Sequence, residues 1–133
     1  MLPKPGKIIS LDLGTRRTGV AVSDATQSVA FARPEIEHSS DPALLAALKT
    51  LAAAELAVGF LLGRPTKLSG EATEQTEKVE ALGQKIAALG LPIEFTDERL
   101  STQFAQDLHG FKTDEKHHDS RAAQILMETY LSQ

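Results

Sequence analysis

Apolar residues recur along this chain with two different periods. KIISLDL, Lys7 to Leu13, and TGVAVSD, Thr18 to Asp24, are apolar runs of strand length joined by Gly14-Thr15-Arg16-Arg17, which predicts a returning hairpin. VAFARPEIE, Val29 to Glu37, predicts a third strand, and Pro34, which cannot donate to a ladder, directs it toward a sheet edge. The first third of the chain therefore reads as an antiparallel meander.

The period then lengthens. Asp41 and Pro42 form an N-cap and first-turn pair, and Leu44, Leu45, Leu48 and Leu51 follow at helical spacing. LAVGFLL, Leu56 to Leu62, is a short apolar run that predicts a buried parallel strand, closed by Gly63 and Pro65. A second helix follows Gly70, with Val79, Leu82, Ile86 and Leu89 on one face and Gly90 ending it. LPIEFTDE is the last predicted strand and runs out into Asp97-Glu98-Arg99. STQFAQDLHG reads as a short helix and FKTDEKHH as a loop. DSRAAQILMETYL closes the chain as a helix whose Ala123, Leu126, Met127 and Tyr130 face the sheet. The order β-β-β-α-β-α-β-α-α is mixed α/β. With no repeat, linker or low-complexity tract, residues 1–133 are expected to form a single domain.

Composition narrows the chemistry. At 133 residues and 41% hydrophobic, the chain can bury one core. It has no cysteine, which excludes disulfides, thiolate zinc sites and cysteine nucleophiles. The apolar run before Asp12 is too short for a signal segment or a membrane span, so a cytoplasmic protein with no membrane partner is the default expectation. A net charge of −4 argues against a nonspecific nucleic-acid coat. It leaves room for a local basic patch, because Arg16, Arg17, Arg33, Arg64, Lys67, Arg99, Lys112, Lys116 and Arg121 fall in or beside loops and element ends.

Three acids from distant segments carry the candidate chemistry. Asp12 interrupts the first apolar run, where an uncompensated carboxylate is unfavourable. Glu98 follows the last strand and Asp119 opens the final helix. Open α/β sheets build sites outside the carboxyl ends of strands, and the three carboxylates converge there if the strands of Asp12 and Glu98 are neighbours and the final helix packs on that sheet. Hard oxygen ligands without histidine or cysteine suit Mg²⁺ or Mn²⁺. Plainer roles exist for each acid: Asp119 fits a helix cap, Glu98 fits an ion pair with Arg99, and Asp97 competes with Glu98 because neighbouring strand residues point to opposite faces. Asp24 fits a turn. His38 and His109 read as surface residues at element ends, and Phe95 and Phe104 as core, whereas Phe111 in its loop could stack on a base.

DLGTRRTGVAVSD, GRPTKLSG, DERLST and HDSRAAQIL, in that order and at these separations, resemble the YqgF family of bacterial RNase H-like nucleases, associated with Holliday-junction resolution and ribosomal RNA precursor processing. The likeness spans nearly the whole chain. It implies an RNase H-like fold and metal-dependent hydrolysis of phosphodiester bonds. The family's acidic positions fall on Asp12, Glu98 and Asp119, which are expected to hold one or two Mg²⁺ or Mn²⁺ ions while water attacks the scissile phosphorus in line. Arg16, Arg17, Arg64, Lys67 and Arg99 are candidates for holding the strand through its phosphates. Arg64 stands between Gly63 and Pro65 where the family usually has an apolar residue, and His118 where an aliphatic one is usual. His117 and His118 could supply a general acid or a ligand, or be solvated loop residues.

Two other classes share parts of this pattern. The Asp-Leu-Gly-Thr stretch also resembles the phosphate loop of actin-like ATPases and sugar kinases, which need a second lobe. A non-catalytic nucleic-acid-binding module would keep the fold without the reaction. Within the nuclease class, maturation of the 16S ribosomal RNA precursor is the expectation and Holliday junction resolution in recombination the alternative. One subunit suffices for the first, whereas symmetric resolution needs a homodimer.

Overall fold

A computed structural model of the chain describes residues 2–65, 73–97 and 118–133, with His118 and Asp119 described by backbone only. The elements are β1 (Lys7–Asp12), β2 (Arg17–Ser23), β3 (Ala30–Glu37), α1 (Asp41–Glu55), β4 (Ala57–Arg64), α2 (Glu74–Ala87), β5 (Ile93–Asp97) and α3 (His118–Leu131). The short helix expected over STQFAQDLHG and the loop after it lie outside the described residues.

One sheet holds all five strands in the order β3-β2-β1-β4-β5. The first three strands make the expected antiparallel meander, while β4 and β5 run parallel to β1. Pro34 lies in β3 at the sheet edge, where its missing N–H leaves no ladder bond unmade. Strand alternation sorts the core into two layers. Ile9, Leu11, Val20, Val22, Phe60 and Leu62 pack with Leu44 and Leu48 of α1 and Val79 and Ile86 of α2. Ile8 and Leu61 point the other way, to Leu2, Ala30 and Met127 of α3. Both faces of β1 are thus covered, which explains why its run is almost continuously apolar.

The helices are placed by packing. Burying Leu44 and Leu48 completely contributes about 1.5–3 kcal/mol each, against well under about 1 kcal/mol for the exposed Lys85–Asp41 pair between α2 and α1. Ser40 caps α1 by accepting from the Ala43 amide at 3.2 Å, so Asp41 is the first helical residue and not the cap. Leu56 ends α1 in the left-handed conformation and is exposed, so β4 starts at Ala57. Thr73 and Thr76 form a capping box at the start of α2. No described helix is long and apolar enough to cross a membrane.

Gly83 brings α2 down onto β5. A Cβ there would come within 2.6 Å of the Phe95 ring and 3.2 Å of Leu62. Replacing Gly83 with leucine is therefore expected to lower unfolding free energy by roughly 1–3 kcal/mol despite the better helix propensity. Urea denaturation at neutral pH measures it.

Candidate active site

Asp12 is the last residue of β1, at its carboxyl end, and is half-buried. The expected strand ran to Leu13 with the acid inside it; the ladder ends one position earlier, at Asp12. Leu13 is still buried, but the chain leaves the ladder and turns tightly: a Cβ on Gly14 would collide with the Arg17 carbonyl oxygen, so the turn into β2 requires glycine. By alternation Asp12 shares its face with Ile8 and Ser10, the face that α3 covers.

Contacts along α3 set its register on β1. The Leu2 amide donates to the Tyr130 hydroxyl at 3.1 Å, Met127 packs with Ile8, and the Ser10 hydroxyl donates to the Ala123 carbonyl at 2.7 Å. Helix and strand therefore run in opposite directions. Four residues of helix rise about 6 Å and two residues of strand about 6.6 Å, so stepping from Ala123 to position 119 keeps pace with stepping from Ser10 to Asp12. The Ser120 hydroxyl donates to the Arg33 carbonyl and the Gln124 amide to the Ala30 carbonyl, which tie the same helix to β3.

Glu98 lies outside the described residues, one position beyond Asp97, the last residue of β5. The strands of Asp12 and Glu98 are not neighbours, because β4 runs between β1 and β5, and their ends are two strand spacings, about 10 Å, apart. Asp97 follows Phe95 in the alternation and so belongs to the α2 face, opposite to Asp12. Arg64 is on that same opposite face, following Phe60 and Leu62, and its Nε reaches Glu80 Oε1 on α2 at 2.7 Å. The structure brings Arg64 to α2 and not to Asp12.

Arg16 and Arg17 follow the Gly14 turn. Arg17 is 3.7 Å from Glu35 and 3.9 Å from Glu37, whereas Arg16 is exposed and makes no ion pair among the described residues. Lys67, Arg99, Lys112, Lys116, His109, His117, Phe104 and Phe111 lie outside the described residues. Among the described residues no three acidic or histidine side chains cluster as a metal centre, and Asp12 is the one member of the expected carboxylate set whose side chain is described.

His38 was expected at the surface, but it is buried, with its ring nitrogen Nε2 2.9 Å from the Thr18 hydroxyl. Nothing local in the sequence signals this, because the partner comes from the neighbouring strand.

Five strands in this order, with helices on both faces and an acid at the carboxyl end of the central strand, define an RNase H-like domain. The family described as RuvX, Holliday junction resolvase, matches residues 6–133, and the chain belongs to it. A curated relative from Sphingopyxis alaskensis, named "Putative pre-16S rRNA nuclease", is 36% identical over 94% of this chain and 86% of its own length. One of the same name from Maridesulfovibrio salexigens is 35% identical over 95% of this chain and 98% of its own. Among solved structures, T. thermophilus RuvC in complex with a Holliday junction substrate has a TM-score of 0.60 at 12% identity, covering 96% of this chain and 95% of that one. The yeast mitochondrial Holliday junction resolvase Ydc2 has a TM-score of 0.58 at 11% identity, covering 99% of this chain and 83% of that one. These structural likenesses show the fold.

Asp24, read from the sequence as a turn residue, is one. Its carboxylate accepts from the Thr26 hydroxyl and from the Val29 and Ser28 amides, which pull its pKa from 3.8 to about 2, with the Thr26 bond the largest cause. A folded-state pKa below the unfolded one gives a contribution that is fully present above about pH 4 and lost as pH falls toward 2. Asp24→Asn should flatten the pH dependence of unfolding free energy in that window and leave its slope above pH 5 unchanged, as read by urea titrations across pH.

Proposed function

We propose that this RuvX-family chain is a divalent-metal-dependent endonuclease that cleaves structured RNA during maturation of the 16S ribosomal RNA precursor. Asp12, Glu98 and Asp119 would hold Mg²⁺ or Mn²⁺. The single observation that carries this reading is the register of α3 on β1, which aligns position 119 with Asp12 at the carboxyl end of the central strand. The donor set fits a hard divalent ion: carboxylate oxygens with no histidine or cysteine among them, one carboxylate standing at a half-buried strand end.

A bound ion of this kind supplies charge stabilisation for the phosphoryl oxygens and activates the attacking water. The chain's own residues do the rest. Packing and the Ser10–Ala123 bond hold the helix that carries Asp119 against the strand that carries Asp12. The Gly14 turn sends Arg16 and Arg17 out at the same end of the sheet, where their charges can orient a polynucleotide through its phosphates without reading its sequence. Lys67 and Arg99 are assigned the same role. Arg64, engaged with Glu80, is better suited to holding α2 to β4.

Holliday junction resolution is the second reading, favoured by the description of the matching family and by the substrate bound to the similar RuvC. Symmetric cutting of a four-way junction needs two active sites, hence a homodimer, while RNA trimming can be done by a monomer.

A labelled 16S precursor RNA and a four-way DNA junction, each offered with Mg²⁺ or Mn²⁺, separate the two. The RNA is expected to be cut at discrete sites, the junction not, and Asp12→Asn to lower the rate by at least about a thousandfold while still binding RNA. Paired nicks in the junction would transfer the assignment to a resolvase. Undiminished cutting by Asp12→Asn would overturn the carboxylate site.

A further inference from the structure

At the same end of the sheet as Asp12, but on the α1 side, Arg16, Arg17, Glu37, His38 and Ser39 line a shallow depression of about 520 Å³. It lies over the start of β2, the strand next to the one that bears Asp12, and the end of β3, on the face opposite to Asp12. The proposed function gives Arg16 and Arg17 a phosphate-orienting role but leaves His38 and Ser39 without one.

Its floor is built around His38, which is 8% exposed. The His38 amide donates to the Arg16 carbonyl at 2.9 Å, and Nε2 is 2.9 Å from the hydroxyl of Thr18, which is itself fully buried. That hydroxyl has no other acceptor among the described residues, and a buried donor left without one is costly. The tautomer that gives this hydroxyl an acceptor has Thr18 donating to Nε2 and the ring proton on Nδ1. Nδ1–H in turn has no acceptor among the described residues. Beside it stand the exposed Ser39 hydroxyl and the Arg16 guanidinium, which makes no ion pair among the described residues. Arg17 is engaged by Glu35 and Glu37.

From these donors we infer that Arg16, His38 and Ser39 form a phosphate subsite for the backbone of the nucleic-acid substrate, away from the scissile bond. The inference rests on the nuclease reading for the identity of the ligand. A hydroxyl, a ring N–H and one cation outside any ion pair match the single charge of a phosphodiester better than a doubly charged phosphomonoester, which the neighbouring Glu37 would repel more strongly. Because the depression opens on the face opposite to Asp12, the subsite acts on affinity and orientation and not on the chemical step.

Binding of labelled 16S precursor RNA, followed by fluorescence anisotropy in EDTA over a salt series, tests this without catalysis. Arg16→Ala should weaken binding and reduce the slope of log K against log salt by about 1, as loss of one cationic phosphate contact does. Ser39→Ala and His38→Gln should each weaken binding roughly fivefold, the scale of one net hydrogen bond, with the slope unchanged. His38→Asn, which keeps an amide N–H near the position of Nδ1, should bind more tightly than His38→Gln. Thermal melts accompany the buried His38 variants, and if they melt early the exposed Arg16→Ala and Ser39→Ala decide. Wild-type affinity and slope in both of those variants overturn the subsite while leaving the nuclease reading intact. Conversely, wild-type protein that binds as described but cuts neither RNA nor junction removes the nuclease reading and keeps the subsite.

Discussion

The hydrogen bond from the buried Ser10 hydroxyl to the Ala123 carbonyl couples the central strand to the last helix, and the candidate site depends on that coupling. A hydroxyl buried between sheet and helix must find an acceptor or lose on the order of 1–3 kcal/mol, so it acts as a register pin where apolar packing alone tolerates sliding. Met127 against Ile8 and the Leu2 amide on the Tyr130 hydroxyl repeat the same register one and two turns further along. Together they align the first turn of α3 with the carboxyl end of β1.

The sheet's mixed topology then decides what else gathers at that end. β1, β4 and β5 are parallel, so their carboxyl ends emerge together, and the antiparallel β2 begins where β1 stops. Alternation divides the polar residues there between two faces. Asp12 takes the α3 face, while Asp97 and Arg64 take the α2 face. The end of the sheet thus separates a carboxylate side from a side stitched by an arginine–glutamate pair, and the basic depression around His38 sits at the far edge of that second side.

Much of this was legible in the periodicities. The meander, the edge position of the Pro34 strand, the buried parallel β4 and the sheet-facing stripe Ala123, Leu126, Met127 and Tyr130 follow from strand and helix spacing and from what proline cannot donate. Five features were not legible. Ser40 caps α1 in place of Asp41, a choice between adjacent capping residues that local geometry decides. Asp12 ends its strand because Gly14 must approach the Arg17 carbonyl, a close contact with no signature beyond a glycine. β4 separates the strands of Asp12 and Glu98 because strand order depends on crossovers, which hydrophobic pattern does not encode. His38 is buried by Thr18 and Arg64 is drawn to Glu80 by pairings between residues 16 or more positions apart.

Convergence of Asp12 and Asp119 on one divalent ion is the central claim, and calorimetric titration of Mn²⁺ into the purified protein tests it without any assumed substrate. The account predicts that wild-type protein binds Mn²⁺, that Asp12→Asn and Asp119→Asn each abolish that binding while the melting temperature of the metal-free protein holds, and that Asp97→Asn, on the opposite face, retains it. Full Mn²⁺ affinity in Asp119→Asn, or its loss in Asp97→Asn alone, would contradict the register on which the site is built.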